Sequence, residues 1–148
     1  MTEKIDILLV EDNADDIELA VHALREEKLA NGITIARDGE EALDIIFHRS
    51  GDADTAPPRL ILLDLKLPKI DGLEVLRVVK NDPRTKAIPI VVMTSSKEER
   101  DLVESYKLGV NAYVQKPVGF DAFRSIVKEL GLFWLVINQT PSPQAFGA

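Results

Sequence analysis

Short apolar runs alternate with amphipathic helical patterns along nearly the whole chain, and this order constrains the fold more than any single residue does. Residues 5–10 (Ile-Asp-Ile-Leu-Leu-Val) read as a buried strand. Residues 13–30 follow as a helix with Ile17, Val21 and Leu24 on one face, and Asn31-Gly32 supplies its stop. A second strand spans 33–36. Asp38-Gly39-Glu40-Glu41 resembles a capping box and opens a helix that ends near Gly51. Residues 52–58 are polar and end in two prolines, which marks a loop. The third strand is 60–63. Asp71-Gly72-Leu73-Glu74 starts the third helix and Asp82-Pro83 closes it. The fourth strand is 88–93. Ser96-Lys97-Glu98-Glu99 caps a helix that runs to Gly109, and 112–114 is a brief fifth strand. Residues 120–137 form the last helix, with Gly131 inside it, and 138–148 is a polar tail. Five strands strictly alternating with five helices predict an α/β fold, a parallel sheet covered on both faces.

At 148 residues the chain suits one domain with a real core. Its net charge of -7 argues against nucleic acid, whose phosphates demand a basic footprint, and against an anionic membrane surface. There is no cysteine, so neither a disulfide framework nor a thiolate metal site is available. The N-terminus does not resemble a signal peptide, and the longest apolar stretch, 130–137, is far short of a membrane span. These features predict a cytoplasmic, soluble protein.

Carboxylates stand at the ends of two predicted strands. Asp64 ends the run Leu60-Ile61-Leu62-Leu63, and the pair Glu11-Asp12 ends the first strand. In an open parallel sheet the carboxyl ends of the strands form the ligand crevice. Three carboxylates gathered there repel one another unless a cation or proton intervenes. Hard oxygen donors with no His or Cys nearby suit magnesium. Thr94 ends the fourth strand, and Lys116 follows the fifth. A hydroxyl and an ammonium beside a metal-bound carboxylate make a site for a phosphoryl group, with Asp64 as a possible nucleophile.

These residues also carry a family resemblance. The acidic pair, Asp64-Leu65-Lys66-Leu67-Pro68-Lys69-Ile70-Asp71-Gly72, Val91-Val92-Met93-Thr94-Ser95 and Ala112-Tyr113-Val114-Gln115-Lys116-Pro117 resemble the receiver domain of response regulators. The likeness covers residues 5–137 and implies a doubly wound, flavodoxin-like sheet of order 2-1-3-4-5. It implies a receiver over 1–137, with 138–148 as a short tail and no output domain. Asp64 is then the phosphoacceptor for a sensor histidine kinase. Glu11, Asp12, Asp64 and the backbone carbonyl of Lys66 hold Mg2+. Thr94 and Lys116 contact the phosphoryl group, and Thr94 and Tyr113 act as the switch. The Lys116-Pro117 bond is a candidate cis peptide, since similar domains have one there. Chemistry in such a domain is limited to its own phosphorylation and dephosphorylation, so it is not an enzyme toward a metabolite. Lys66 is expected to influence phosphate lifetime from the approach of attacking water.

The last helix adds a separate expectation. Its inward stripe is Phe120, Phe123, Val127, Leu130, Trp134 and Ile137, yet Leu132, Phe133, Leu135 and Val136 are apolar too. An outer face of that kind predicts an interface, here a homodimer through Phe133, Trp134, Leu135 and Val136 with surface from the fourth helix and fifth strand. The Phe133-Trp134-Leu135-Val136-Ile137 ending resembles small response regulators that partner phytochrome-type histidine kinases. Two other readings compete: a docking module that works without phosphate, and a phosphohydrolase with an aspartyl nucleophile. The second acid usual two residues after such a nucleophile is absent, since that position is Lys66.

Overall fold

The computed structural model of the protein describes residues 5–27, 30–51, 58–95, 98–116 and 119–132. In chain order the elements are β1 (Ile5–Val10), α1 (Ala14–Glu26), β2 (Ala30–Ala36), α2 (Gly39–Gly51), β3 (Leu60–Leu63), α3 (Gly72–Asn81), β4 (Ile90–Thr94), α4 (Glu99–Lys107), β5 (Ala112–Gln115) and α5 (Phe120–Leu132). The five strands form one parallel sheet in the order β2-β1-β3-β4-β5. The predicted architecture and strand order are both found.

The alternation of side chains along each strand builds two cores, one on each face. Leu8, Val10, Ile61, Leu63, Ile90 and Val92 point to one face, where they meet Ala42 and Ile46 of α2 and Val75, Leu76 and Val79 of α3. Ile7, Leu9, Leu60, Leu62, Val91 and Met93 point to the other, against Ile17, Ala20, Ala23 and Leu24 of α1 and Phe123 and Val127 of α5. Both β3 and β4 are buried along their full length, which is why they read as unbroken apolar runs.

Polar side chains fix where the helices begin. Asn13 caps α1 by accepting from the Asp16 N–H at 3.0 Å. Asp38 accepts from the Glu41 N–H at 2.8 Å while Glu41 reaches back to the Arg37 N–H, close to the expected capping box. Asp71 caps α3 through the Glu74 N–H at 3.0 Å.

Several boundaries differ from the sequence reading. The first helix ends at Glu26 with Glu27 as its C-cap, not at 30. Asn31-Gly32 does not stop that helix; it lies inside β2, where the register slips so that Ile5 faces Ala30 and Asp6 faces Gly32. The slip leaves Asn31 as the extra residue of an irregularity, so a helix-stop pair was in fact a strand bulge. The fourth strand starts at Ile90, because Pro89 lacks the N–H for the ladder and contributes only its carbonyl, which accepts from Ile61. The cap of α4 is Glu98, without a side-chain bond, rather than Ser96, which falls outside the described residues. The helix also closes at Leu108, earlier than Gly109.

Candidate functional site

The sheet order reverses direction at β1, with β2 on one side and β3 on the other. The crevice beyond the carboxyl ends of β1 and β3 is therefore the topological switch point. Val10 and Leu63 are register partners, and the residues that follow them, Glu11 and Asp64, emerge side by side. The Asp64 N–H donates to the Val10 carbonyl at 3.0 Å, and the Glu11 N–H to the Ala36 carbonyl at 2.9 Å. Strand pairing thus continues one residue past each strand and fixes both acidic residues. Glu11 and Asp64 are buried, while Asp12 is exposed at the rim.

One carboxylate oxygen from each of Glu11, Asp12 and Asp64 lies within 4.8 Å of the others. Adjacent ligands of a six-coordinate magnesium ion stand about 3 Å apart and opposite ones about 4 Å, so the three carboxylates must draw together to share one hard cation. The donor set fits a divalent metal: all oxygen, no imidazole or thiolate, one ligand open to water. The site is electrostatically unbalanced without one. Burial pushes the Glu11 carboxyl up from 4.5 to about 7; Lys116 opposes the rise and Asp64 adds to it.

Lys116 reaches into this cluster from the end of β5. Its N–H donates to the Thr94 carbonyl at 2.8 Å, which ties the ends of β4 and β5 together. Its ammonium donates to Glu11 Oε1, to Asp64 Oδ2 at 3.1 Å and to Asp16 Oδ2 at 2.7 Å. Burial works against this ammonium. The bonds to Asp16 and Glu11 and the charge of Asp64 outweigh burial and hold its pKa above that of an ordinary lysine. The other oxygens are held as well: Glu11 Oε2 accepts from the Asn13 N–H at 3.2 Å and Asp64 Oδ1 from the Lys66 N–H at 3.1 Å.

The structure brings Glu11, Asp12, Asp64 and Lys116 together. Thr94 is fully buried at the end of β4, and Tyr113 is half-buried on β5 opposite Val92, packed on the α2–α3 side of the sheet. The Lys66 side chain is exposed and lines an open cleft of about 400 Å3 with Asp12, Asp71, Arg100 and Asp101. Pro117 and the interface candidates Phe133, Trp134, Leu135 and Val136 lie outside the described residues. Sequence reasoning missed Asp16, whose place in the first turn of α1 is already explained by the helix dipole. The available signal was positional: a third-residue side chain leans back toward the helix start, and here that start abuts the carboxylates.

Residues 7–128 match the response regulator receiver domain. The chain is 41% identical over 138 residues to the probable methanogenesis regulatory protein FilR2 of Methanothrix harundinacea, covering 93% of this chain and 88% of that protein. It is also 41% identical over 137 residues to response regulator Rcp1 of Synechocystis, covering 92% of each. The crystal structure of the phosphorylated cyanobacterial phytochrome response regulator RcpA superposes with a TM-score of 0.83 at 41% identity, covering 95% of this chain and all of that one. The Mn2+-bound form of Rcp1 does so with a TM-score of 0.80 at 38% identity, covering 93% and 99%. With the family domain matched over residues 7–128 and the fold shared with these structures, the chain belongs to the response regulator receiver family.

Proposed function

We propose that Asp64 is the phosphoacceptor of this receiver domain and that Mg2+ is its working metal. The observation that carries this is the Lys116 ammonium, which touches both Asp64 and Glu11 where three carboxylates converge at the switch point. An Asp64 oxygen attacks the phosphorus of a phosphohistidine. The new P–O bond forms as the P–N bond breaks, and the imidazole nitrogen leaves with the electron pair. A bound divalent cation supplies positive charge against the phosphoryl oxygens and the crowded carboxylates. Lys116 would donate to a phosphoryl oxygen, the backbone carbonyl of Lys66 would join Glu11, Asp12 and Asp64 in holding the metal, and the Thr94 hydroxyl would move to the phosphate with Tyr113 following. Chemistry ends with hydrolysis of the same bond, so the chain turns over no metabolite.

The phosphodonor of a receiver is a histidine kinase. The likeness to RcpA supports a phytochrome-type kinase here. We further infer a homodimer formed by residues 133–136 with α4 and β5. Leu102 and Tyr106, the exposed large apolar side chains of α4, support that surface. Residues 1–137 serve as the receiver, 138–148 as a tail, and the acidic, cysteine-free composition favours the cytoplasm. Among the described residues no helix is long and apolar enough to cross a membrane.

The test is incubation with magnesium and acetyl phosphate followed by intact mass measurement. One added phosphate, lost in Asp64→Asn, is expected; no adduct with any donor would overturn the assignment. A monomeric mass in solution, with and without phosphate, would overturn the dimer.

A further inference from the structure

We propose that Asp16 is a positioning residue for Lys116, holding the ammonium aimed at Asp64 as its third partner changes from carboxylate to phosphoryl oxygen. This rests on the assignment of Asp64 and Lys116 above.

An acid in the first turn of a helix ordinarily needs no explanation beyond the helix dipole. An exposed ion pair contributes little as well. Asp16 fits neither description. Its partner is 100 residues away, just past the end of β5, and the Lys116 side chain is only 9% exposed against 35% for that of Asp16. Both ends of the contact are anchored. The Asp16 N–H donates to Asn13 Oδ1 at 3.0 Å, which pins the first turn of α1. The Lys116 N–H donates to the Thr94 carbonyl at 2.8 Å, which pins the end of β5. Between those anchors lies a long lysine stem with four rotatable bonds, which points nowhere in particular without a partner.

An ammonium has three hydrogens, and this one has three acceptors: Glu11, Asp16 and Asp64. Two of the three belong to the metal-binding set. Asp64 Oδ2 changes character when the phosphoryl group arrives, and Glu11 is drawn on by the cation. Asp16 lies outside that set, so its bond is the one that needs no change through the reaction. With Asp16 and Glu11 kept, the third hydrogen is free to follow the phosphoryl oxygen. Asp16 never touches the reacting atoms; it acts through Lys116.

Two measurements test this on the full chain. Lys116 reactivity toward an amine-acylating reagent is read by mass spectrometry without metal. Phosphorylation by acetyl phosphate is timed at limiting and at saturating magnesium. Asp16→Ala is expected to raise Lys116 reactivity several-fold and slow phosphorylation by up to about a hundredfold, the cost that a misplacement of about 1 Å can carry. Asp16→Glu, which keeps the charge, should recover both, whereas a purely structural defect would not be recovered. Unchanged Lys116 reactivity in Asp16→Ala overturns the proposal. So does a slowing that disappears at saturating magnesium, since the charge would then act on the metal. The two readings fail in different ways: no phosphate adduct on the wild-type chain removes the Asp64 assignment, while the reactivity comparison still judges Asp16.

Discussion

A methyl group on Gly72 would lie 2.3 Å from the Asp64 carbonyl oxygen and 2.4 Å from Leu65 Cα. Gly72 also donates its N–H to the Leu65 carbonyl at 2.9 Å. The first residue of α3 is thus pressed against the backbone that carries Asp64. Gly39 does the same from α2, where an added Cβ would meet the Ile70 carbonyl oxygen at 1.9 Å. The loop between β3 and α3 is clamped from both sides by residues without side chains.

Replacing Gly72 by Ala therefore forces the Asp64 backbone to move. Overpacking of this kind costs about 1–3 kcal/mol, so the urea midpoint of Gly72→Ala should fall. The phosphorylation rate should fall more than stability alone explains, because the displaced atoms include those of Asp64. An unaltered midpoint and rate would show that the loop yields freely.

The fold was readable because β3 and β4 are buried, largely apolar runs and three of the five helices announce their first turn with Asn13, Asp38 or Asp71. Carboxylates at the ends of β1 and β3 were readable for the same reason: strand ends position them. The start of β2 was not, because Asn31-Gly32 has the chemistry of a helix stop and nothing local distinguishes that from a bulge. Asp16 was hidden by distance, since its partner is 100 residues away and the helix dipole already accounts for its type. The clamp at Gly72 and Gly39 was hidden too, as close approach between backbones leaves no pattern in a single sequence.

Glu11 as a metal ligand is expected to make metal binding depend on pH. Its folded pKa of about 7 lies above the ordinary 4.5, so the native state binds the extra proton between those values. Its contribution to metal-free stability is complete below about pH 4.5 and is lost as pH rises through about 7. A cation needs the carboxylate, so magnesium affinity should rise across the same window, and binding near pH 6 should release a proton. Calorimetric titrations in two buffers of different ionisation enthalpy read that proton. In Glu11→Gln the pH dependence should flatten; an affinity equal at pH 5.5 and 8 in the wild type would contradict the assignment.

Lys80 gives a stability effect of opposite sign. It lies at the end of α3 and donates to the Lys86 and Ile88 carbonyls at 3.0 and 2.7 Å, closing the turn into β4. Burial pushes its pKa from 10.5 down to about 8. The unfolded chain therefore holds more protons between those values, and stability should rise as pH climbs from about 8 to about 10.5. Urea midpoints across that range test it, with Lys80→Met expected to remove the rise. A wild-type slope no steeper than that of Lys80→Met would mean that the two carbonyls keep the ammonium charged.

With Asp64 as the phosphoacceptor proposed above, Lys66 stands where its phosphate would meet water. Its backbone N–H is committed to Asp64 Oδ1, so the loop cannot turn away, and its exposed side chain lines the cleft above the site. Water attacking the phosphorus opposite the Asp64 oxygen must enter from such an open side. A long cationic stem there obstructs that approach and attracts the phosphoryl oxygens, and both effects lengthen the life of the phosphate. Removing it in Lys66→Ala should shorten the dephosphorylation half-life about threefold, equivalent to roughly 0.6 kcal/mol on the barrier. The backbone bond to Asp64 survives the substitution, so phosphorylation at saturating donor should change little. Equal half-lives for the two proteins would leave Lys66 as a solvated charge with no part in the timing.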